Sequence, residues 1–136
     1  KGGTAVYAWG RGGEGQLGNE GRLSHPRPSK MVGRILEDGE AEGLYGVKAV
    51  DVAAGMWHTL IVAHNGIVLA CGRGIEGQLG DEDPPPYQLL PCRVHELYKK
   101  RVVATSAAAG RDHSVILDRQ RRVWTWGSGA NGRLGG

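Results

Sequence analysis

The sequence predicts an all-β fold, namely a partial β-propeller built from four-stranded antiparallel blades. Three observations predict it: a glycine-rich motif that occurs three times, a second motif that occurs twice at a fixed distance from the first, and about four strand-like segments in each repeat. Of the 136 residues, 24 are glycine, but they lack the every-third-residue spacing of collagen. The hydrophobic fraction of 40% and the charged fraction of 23% favour a folded chain over a disordered one.

The first motif consists of Trp or Cys followed by Gly, then a glycine-rich stretch that ends in Leu-Gly. It begins at Trp9, Cys71 and Trp126, and in each copy the first and last glycines are 8 residues apart. The copies define repeats from 10 to 72 and from 72 to 127, with periods of 62 and 55 residues, and a third repeat begins at 127–136. The glycines assigned to this motif are Gly10, Gly15, Gly18, Gly72, Gly77, Gly80 and Gly127.

The second motif is Ala-Ala-Gly followed, three residues after the glycine, by histidine. Gly55 with His58 forms one copy, and Gly110 with His113 forms the other. The glycine of the second motif stands 17 residues before the first glycine of the next copy of the first motif in both repeats. The connector, from the last glycine of the first motif to the glycine of the second, spans 37 residues in one repeat and 30 in the other. A constant core with a variable connector is typical of blades whose loops lie on one rim.

Four segments carry the strand signal. Residues 47–54 and 102–109 are rich in small side chains, so we expect strands whose backbones approach each other closely. Residues 57–63 and 67–71 flank Asn65-Gly66, a strong hairpin signal. We expect no helix longer than about two turns, because no longer stretch has helical periodicity.

Two further features make weaker predictions. Residues 118–122 of the second repeat stand where the first repeat has its Asn-Gly turn, and because they lack glycine we expect a longer or looser turn there. Residues 31–36 and 92–97 are weaker strand candidates, each preceded by a proline-containing loop. The first connector also carries an acidic insertion at 37–42.

The two motifs resemble the signatures of the regulator of chromosome condensation repeat family. The resemblance rests on Tyr-Ala-Trp-Gly…Gly-Gln-Leu-Gly at 7–18 and on Ala-Ala-Gly-x-x-His-Thr/Ser at 53–59 and 108–114, and it covers nearly the whole chain. It implies a seven-bladed propeller in the complete family fold, of which residues 1–136 would form one partial segment of about two and a third blades. Two blades cannot close a ring, so we expect a fragment of a longer chain, or other copies, to complete it.

Several residues could be taken for chemistry. The first motif also fits Gly-x-Gly-x-x-Gly, but a dinucleotide site needs a helix after the loop, and a polar stretch follows here, so we predict no cofactor. His58 and His113 could serve acid–base or metal chemistry, or could be buried and donate to a backbone carbonyl; their repetition favours the second interpretation. We predict neither a metal site nor catalytic residues.

Charge is unevenly distributed along the chain. Residues 93–136 carry nine basic and three acidic groups, whereas residues 1–92 carry eight basic and eleven acidic ones. The basic part is either a solvated face or a surface that binds phosphate or an acidic protein. Nucleic acid is weakly supported, because no aromatic side chains interleave with the arginines. The candidate partner-binding residues are Arg111, Asp112, Arg119, Arg121 and Arg122, and the last three would crowd one hairpin tip.

The predicted function is that of a protein-interaction scaffold whose rim loops bind a partner without covalent chemistry. The resemblance implies two alternatives: a guanine-nucleotide exchange factor for a Ran-like small GTPase, with chromatin association, or the substrate-binding propeller of a ubiquitin ligase. No apolar run approaches the roughly 18 residues of a membrane span, and residues 1–4 lack the apolar core of a secretory signal. We therefore expect an intracellular protein of the nucleus or cytoplasm.

Overall fold

The computed structural model describes residues 6–10, 25–30, 33–35, 41–43, 47–73, 87–111 and 113–127. Within these ranges the chain forms eleven strands and one short helix. Every strand pairing is antiparallel. In chain order the elements are β1 Tyr7–Gly10, β2 His25–Lys30, β3 Gly33–Ile35, β4 Ala41–Gly43, β5 Ala49–Ala54, β6 His58–Ala63, β7 Val68–Arg73, β8 Tyr87–Arg93, α1 His95–Lys99, β9 Ala104–Ala109, β10 His113–Asp118 and β11 Val123–Gly127.

The sheets repeat in the way that the sequence predicts. Strands β5, β6, β7 and β8 form one four-stranded sheet in that order, and β9, β10 and β11 form the next sheet in the same order. The registers agree as well, since Thr59 pairs with Cys71 and Ser114, 55 residues later, pairs with Trp126. The all-β prediction and the antiparallel four-stranded blade are confirmed.

Two hydrophobic clusters cover the two faces of the complete blade. Side chains alternate between faces along a strand, so Leu60 and Val62 of β6 enter one cluster while Ile61 and Ala63 enter the other. The first cluster continues into the next blade through Ile116 of β10. Because both faces of β6 are buried, its sheet is packed on both sides, as an inner blade of a propeller is.

The first strands of the two blades lie against each other. Asp51 of β5 accepts a hydrogen bond through Oδ2 from the backbone N–H of Ala107 in β9, at 2.9 Å. Ala53, Ala107 and Ala109 line this contact beside the first cluster. Large side chains could not be accommodated between strands that approach so closely, and the prediction drawn from the small residues is confirmed.

The expected looser turn at 118–122 is wrong. Ala63 and Gly66 close the β6–β7 turn with backbone hydrogen bonds of 2.8 Å from the Ala63 N–H to Ile67 O and from the Gly66 N–H to Ala63 O. The β10–β11 turn repeats this pattern, since the Arg121 N–H donates to Asp118 O at 3.0 Å. Arg121 adopts φ +67° where Gly66 adopts +85°. Arginine thus takes a left-handed conformation that usually favours glycine.

The Asp118 side chain explains why the turn holds without glycine. Its Oδ1 accepts hydrogen bonds of 2.8 Å from the backbone N–H groups of Gln120 and Arg122. Aspartate commonly organises turns by bonding to backbone groups a few residues ahead. The first blade has Ala63 at the matching position, and there the Ile67 N–H, the counterpart of the Arg122 N–H, donates instead to Asn65 Oδ1 at 3.2 Å.

The predicted strand at 92–97 is also wrong. Strand β8 ends at Arg93, and α1 begins at His95. Val94 and Leu97 are both buried in the first cluster, and a spacing of three residues places them on one helical face. The apolar residues of this segment are compatible with either a strand or a helical turn.

Three prolines expected in loops lie in strands, whereas the prolines at 84–86 lie outside the described residues. Pro26 and Pro28 lie in β2, and Pro91 lies in β8. Proline is tolerated at the edges of sheets, where no neighbour needs its missing N–H, and β8 is the last strand of its sheet. Of the weak strand candidate at 31–36, residues 33–35 form β3, and residues 31, 32 and 36 lie outside the described residues.

Replacing Arg121 with glycine should stabilise the protein. Glycine removes the steric cost of a left-handed φ, and we expect Arg121→Gly to raise the free energy of unfolding by about 0.5–1 kcal/mol after its greater freedom in the unfolded chain is subtracted. Urea unfolding at neutral pH measures this change. Arg119→Gly is the matched control and should not stabilise, because φ of Arg119 is not positive. A lower midpoint for Arg121→Gly than for the wild type would contradict the strain argument.

Candidate functional site

Three connections lie together at one end of the two blades. The Gly66 carbonyl in the β6–β7 turn accepts a hydrogen bond of 2.9 Å from the Ala104 N–H, where β9 begins. The Val103 carbonyl in turn accepts one of 2.8 Å from the Arg119 N–H in the β10–β11 turn. These bonds join residues 64–67, 95–103 and 119–122 into one continuous surface, the hairpin rim.

The hairpin rim is strongly basic. Its acidic groups are Glu96, which is partly exposed, and the buried Asp118 at its edge. Glu96 forms ion pairs with two lysines of the rim, at 3.6 and 3.8 Å, and such exposed pairs contribute little to stability. The exposed basic residues are Lys99, Lys100, Arg101, Arg119, Arg121 and Arg122.

Asp118 holds the tip of the β10–β11 hairpin in place. In addition to its two backbone partners, its Oδ2 accepts hydrogen bonds of 2.9 Å from Arg122 Nε and from Trp124 Nε1. Burial alone would raise the pKa of Asp118, but the hydrogen bonds from Trp124, Arg122 and Gln120 outweigh it and lower the pKa to about 2. The Arg122 guanidinium also lies 5.6 Å from the centre of the Trp124 ring. Arg122 therefore serves the fold as well as the surface.

The predicted partner-binding residues do not form one group. Arg119, Arg121 and Arg122 meet at the β10–β11 turn, whereas Arg111 lies between β9 and β10, at the opposite end of β10. Strand β10 has six residues, and at about 3.4 Å per residue its ends are roughly 20 Å apart. Asp112 lies outside the described residues.

Sequence reasoning missed the contribution of Lys99, Lys100 and Arg101 to the same surface. The basic residues themselves were recognised in the sequence. With a strand predicted at 92–97, however, nothing indicated that they would lie beside the β10–β11 hairpin. The signal that could have placed it was the helical spacing of Val94 and Leu97.

The repeated histidine is a packing residue. His58 is fully buried, and its Nε2 is 2.9 Å from Ser114 Oγ in the next blade. This contact joins two sheets through a side-chain hydroxyl. Gly55 makes room for the ring, because a Cβ on Gly55 would stand 2.6 Å from His58 Cε1 and would also collide with the Gly110 carbonyl oxygen. Gly110 stands in the same relation to the His113 ring.

Cys71 likewise serves the core. It is fully buried among Ile61, Ala63 and Leu69. Burial, with Cys92 nearby, raises the pKa of the Cys71 thiol to about 12, against a lowering hydrogen bond with Thr59. The thiol therefore stays protonated and unreactive at neutral pH.

The glycine-rich stretches of the first motif lie mostly outside the described residues. Gly10, Gly72 and Gly127 are described, and each belongs to a strand that precedes such a stretch in the sequence. Gly15, Gly18, Gly77 and Gly80 fall outside the described ranges. In the ranges that are described, no three His, Cys, Asp or Glu residues group as metal ligands do. No helix in those same ranges is long and apolar enough to cross a membrane.

Comparison with protein families decides the membership. The model of the regulator of chromosome condensation (RCC1) repeat matches residues 5–62 and 65–117, and a second model of this repeat matches residues 104–133. The chain belongs to the regulator of chromosome condensation repeat family. Its matches to solved structures of the family confirm the partial β-propeller.

Individual relatives are much longer than the present chain. Human E3 ubiquitin-protein ligase HERC2 is 36% identical over 130 residues, which are 96% of this chain and 2% of HERC2. Human WBSCR16 superimposes with a TM-score of 0.76 at 25% identity, covering 90% of this chain and 28% of that one. Yeast RCC1 (Prp20), in its complex with Kap60, gives a TM-score of 0.69 at 25% identity over 92% of this chain and 28% of that one.

Removing the hydroxyl between the blades should destabilise the fold. We expect Ser114→Ala to lower the free energy of unfolding by about 1–3 kcal/mol, because it takes a buried hydrogen-bond partner from His58. Chemical denaturation measures the loss. Thr105→Ala is the control, since it removes an exposed hydrogen bond to the Leu117 carbonyl and should cost less. Equal losses for both variants would contradict a special role for the contact between the sheets.

The stability of the hairpin should depend on acid pH through Asp118. Its pKa is about 2 in the fold against an ordinary 3.8, so the stabilisation is fully present above pH 3.8 and is lost as the pH falls towards 2. Melting temperatures from pH 7 down to pH 2 should fall more steeply for the wild type than for Asp118→Asn, which should already be less stable at pH 7. Glu96→Gln controls for the loss of a carboxylate. Parallel curves for the wild type and Asp118→Asn would refute the assignment.

Proposed function

We propose that this chain is a protein-interaction segment of a β-propeller, and that its hairpin rim contacts an anionic surface of a partner protein. The observation that carries the proposal is the convergence of basic side chains from α1, the segment that follows it and the β10–β11 turn on one rim. Fixed like charges repel one another, and an acidic partner relieves that repulsion on binding. The segment acts by binding, and the proposal assigns it no covalent step.

The rigidity of the rim supports this role. Backbone hydrogen bonds connect the three segments, and Asp118 fixes the tip of the hairpin through four hydrogen bonds. A surface that is already ordered loses little conformational entropy when a partner binds. Yeast RCC1, which is similar in fold, was crystallised in a complex with a protein, Kap60.

A second candidate is more specific: the segment selects substrates for a ubiquitin ligase. The identity to HERC2 over 96% of this chain favours it. In that case, ubiquitin transfer to a captured protein by the parent chain would require the hairpin rim. An exchange factor, by contrast, would accelerate GDP release from a Ran-like GTPase, and the measurement of labelled GDP separates the two activities.

Charge reversal at the rim should abolish partner binding without unfolding the protein. We choose Arg119→Glu with Arg121→Glu and leave Arg122 intact, because Arg122 also bonds to Asp118. Partner proteins captured from cell extract should fall by at least about tenfold, as quantified by mass spectrometry. Circular dichroism melting confirms that the variant folds.

Arg111→Glu is the control, because it reverses one charge at the opposite end of β10. It should keep the wild-type set of partners. Unchanged capture by the Arg119→Glu/Arg121→Glu variant, or equal loss with Arg111→Glu, would refute the hairpin rim as the contact surface.

A further inference from the structure

We propose that the hairpin rim contains a two-part peptide site, which binds an acidic segment that carries one aliphatic side chain. The aliphatic side chain enters a cavity between α1 and the β6–β7 turn, and the flanking carboxylates meet Arg101 and Arg119. This inference rests on the proposed function and names the chemistry of its ligand.

The first observation is the cavity. Its volume is about 520 Å³, within the range of roughly 300–1,000 Å³ that is usual for ligand pockets. Aliphatic side chains form much of its lining, among them Ile67, Leu97 and Val103, and Asn65 lies at its edge. A leucine or isoleucine side chain would find apolar contacts there instead of water.

The second observation is the position of the arginines relative to this cavity. A smaller cavity of about 80 Å³ lies between Arg101 and Arg119, and it shares Arg101 and Val103 with the larger one. Asp118 also lines the smaller cavity, but its carboxylate is already occupied by four donors, one of which is Arg122 Nε in an ion pair. A carboxylate one or two residues from the aliphatic side chain can therefore meet a guanidinium.

The third observation is the backbone conformation of Arg101. With φ of +57°, Arg101 and Arg121 are the non-glycine residues of positive φ in the described part of the chain. Arg101 follows the end of α1, where the Val102 N–H donates to Leu97 O at 3.0 Å and the Arg101 N–H donates to Tyr98 O at 3.1 Å. Helices that end in this way favour glycine at the position of Arg101.

The fold alone does not account for an arginine there. Within the described residues, the Arg101 side chain makes neither an ion pair nor a hydrogen bond. No such contact offsets the conformational energy that a non-glycine residue needs to adopt a positive φ. Backbone strain of this kind concentrates at functional sites. The guanidinium is therefore available to a ligand.

The lining favours a peptide over nucleic acid. Nucleic-acid sites combine phosphate contacts with exposed aromatic faces on which bases stack. Here the aromatic residue of the cavity is Tyr98, 47% exposed, and its ring is covered by the Arg93 guanidinium at 4.1 Å. An aliphatic pocket beside guanidinium groups instead matches a leucine flanked by aspartate and glutamate.

The test measures fluorescence anisotropy with the full chain. The probe is a fluorescein-labelled synthetic peptide in which one leucine is flanked on both sides by aspartate and glutamate. Two matched peptides replace the leucine with serine, or the acidic residues with their amides. We expect the probe to bind and each matched peptide to bind at least about tenfold more weakly.

Two variants separate binding from folding. Arg101→Gly relieves the left-handed backbone, so its melting temperature should equal or exceed that of the wild type while its affinity for the probe falls at least about tenfold. In the wild type the Ile67 N–H donates to Asn65 Oδ1 at 3.2 Å, and Asn65→Asp keeps an oxygen acceptor for this bond. The variant adds a negative charge to the lining of the cavity, so it should also weaken binding of the acidic probe. Arg111→Ala, at the other end of the blade, should leave affinity unchanged.

Each remaining outcome has a defined meaning. Equal binding of the leucine and serine peptides, or unchanged affinity in Arg101→Gly, would overturn the two-part site. Duplex or single-stranded DNA that binds while the acidic peptide does not would overturn it in favour of nucleic acid. If the peptide fails but the Arg119→Glu/Arg121→Glu variant still loses its protein partners, the peptide site is wrong and the proposed function stands.

Discussion

The close approach of β5 and β9 is the constraint on which the rest of the structure depends. Asp51 reaches the backbone of Ala107, and Gly55 lies so near Gly110 that a side chain between them would collide. His58 then meets Ser114 from the second strand of each blade. These contacts fix one blade against the next, and they account for the small residues and the glycine of the Ala-Ala-Gly motif and for its histidine in the first repeat. The repeats differ most in the length of their connecting segments, which lie outside this core.

The two hairpin turns show how one backbone conformation can be produced by different residues. In the first blade glycine adopts the left-handed conformation without cost, and the neighbouring Ala63 contributes no side-chain bond. In the second blade Arg121 adopts the same conformation, and Asp118 supports it with hydrogen bonds to the backbone and to Trp124. The exchange gains a positively charged tip at some cost in backbone energy. A side chain that the fold does not require is thereby presented to solvent on an ordered turn.

The sequence was sufficient to predict the strands that carry the motifs, because periodic glycines and small residues report directly on backbone crowding. It was insufficient at 92–97 and 118–122 for different reasons. Val94 and Leu97 are apolar in a way that suits either a strand or a helical turn, and only packing against Ile116 and its neighbours decides between them. At 118–122 the deciding bonds come from a side chain, and a rule based on the presence of glycine cannot detect them. The sequence predicted that the hairpin arginines would share one turn, but the approach of Arg119 to Arg101 depends on how α1 ends.

The connectors explain how such a scaffold can acquire a specific surface. The two connectors, 18–55 and 80–110, differ in structure, since β3 and β4 pair in the first whereas α1 lies in the second. They also differ in charge: the first contains the acidic run at 37–42 and the second the basic run at 99–101. The β5–β9 hydrogen bond from the Ala107 N–H to Asp51 involves neither run. Because charge complementarity contributes to specificity, this difference in sequence gives each connector its own electrostatic character on a shared scaffold.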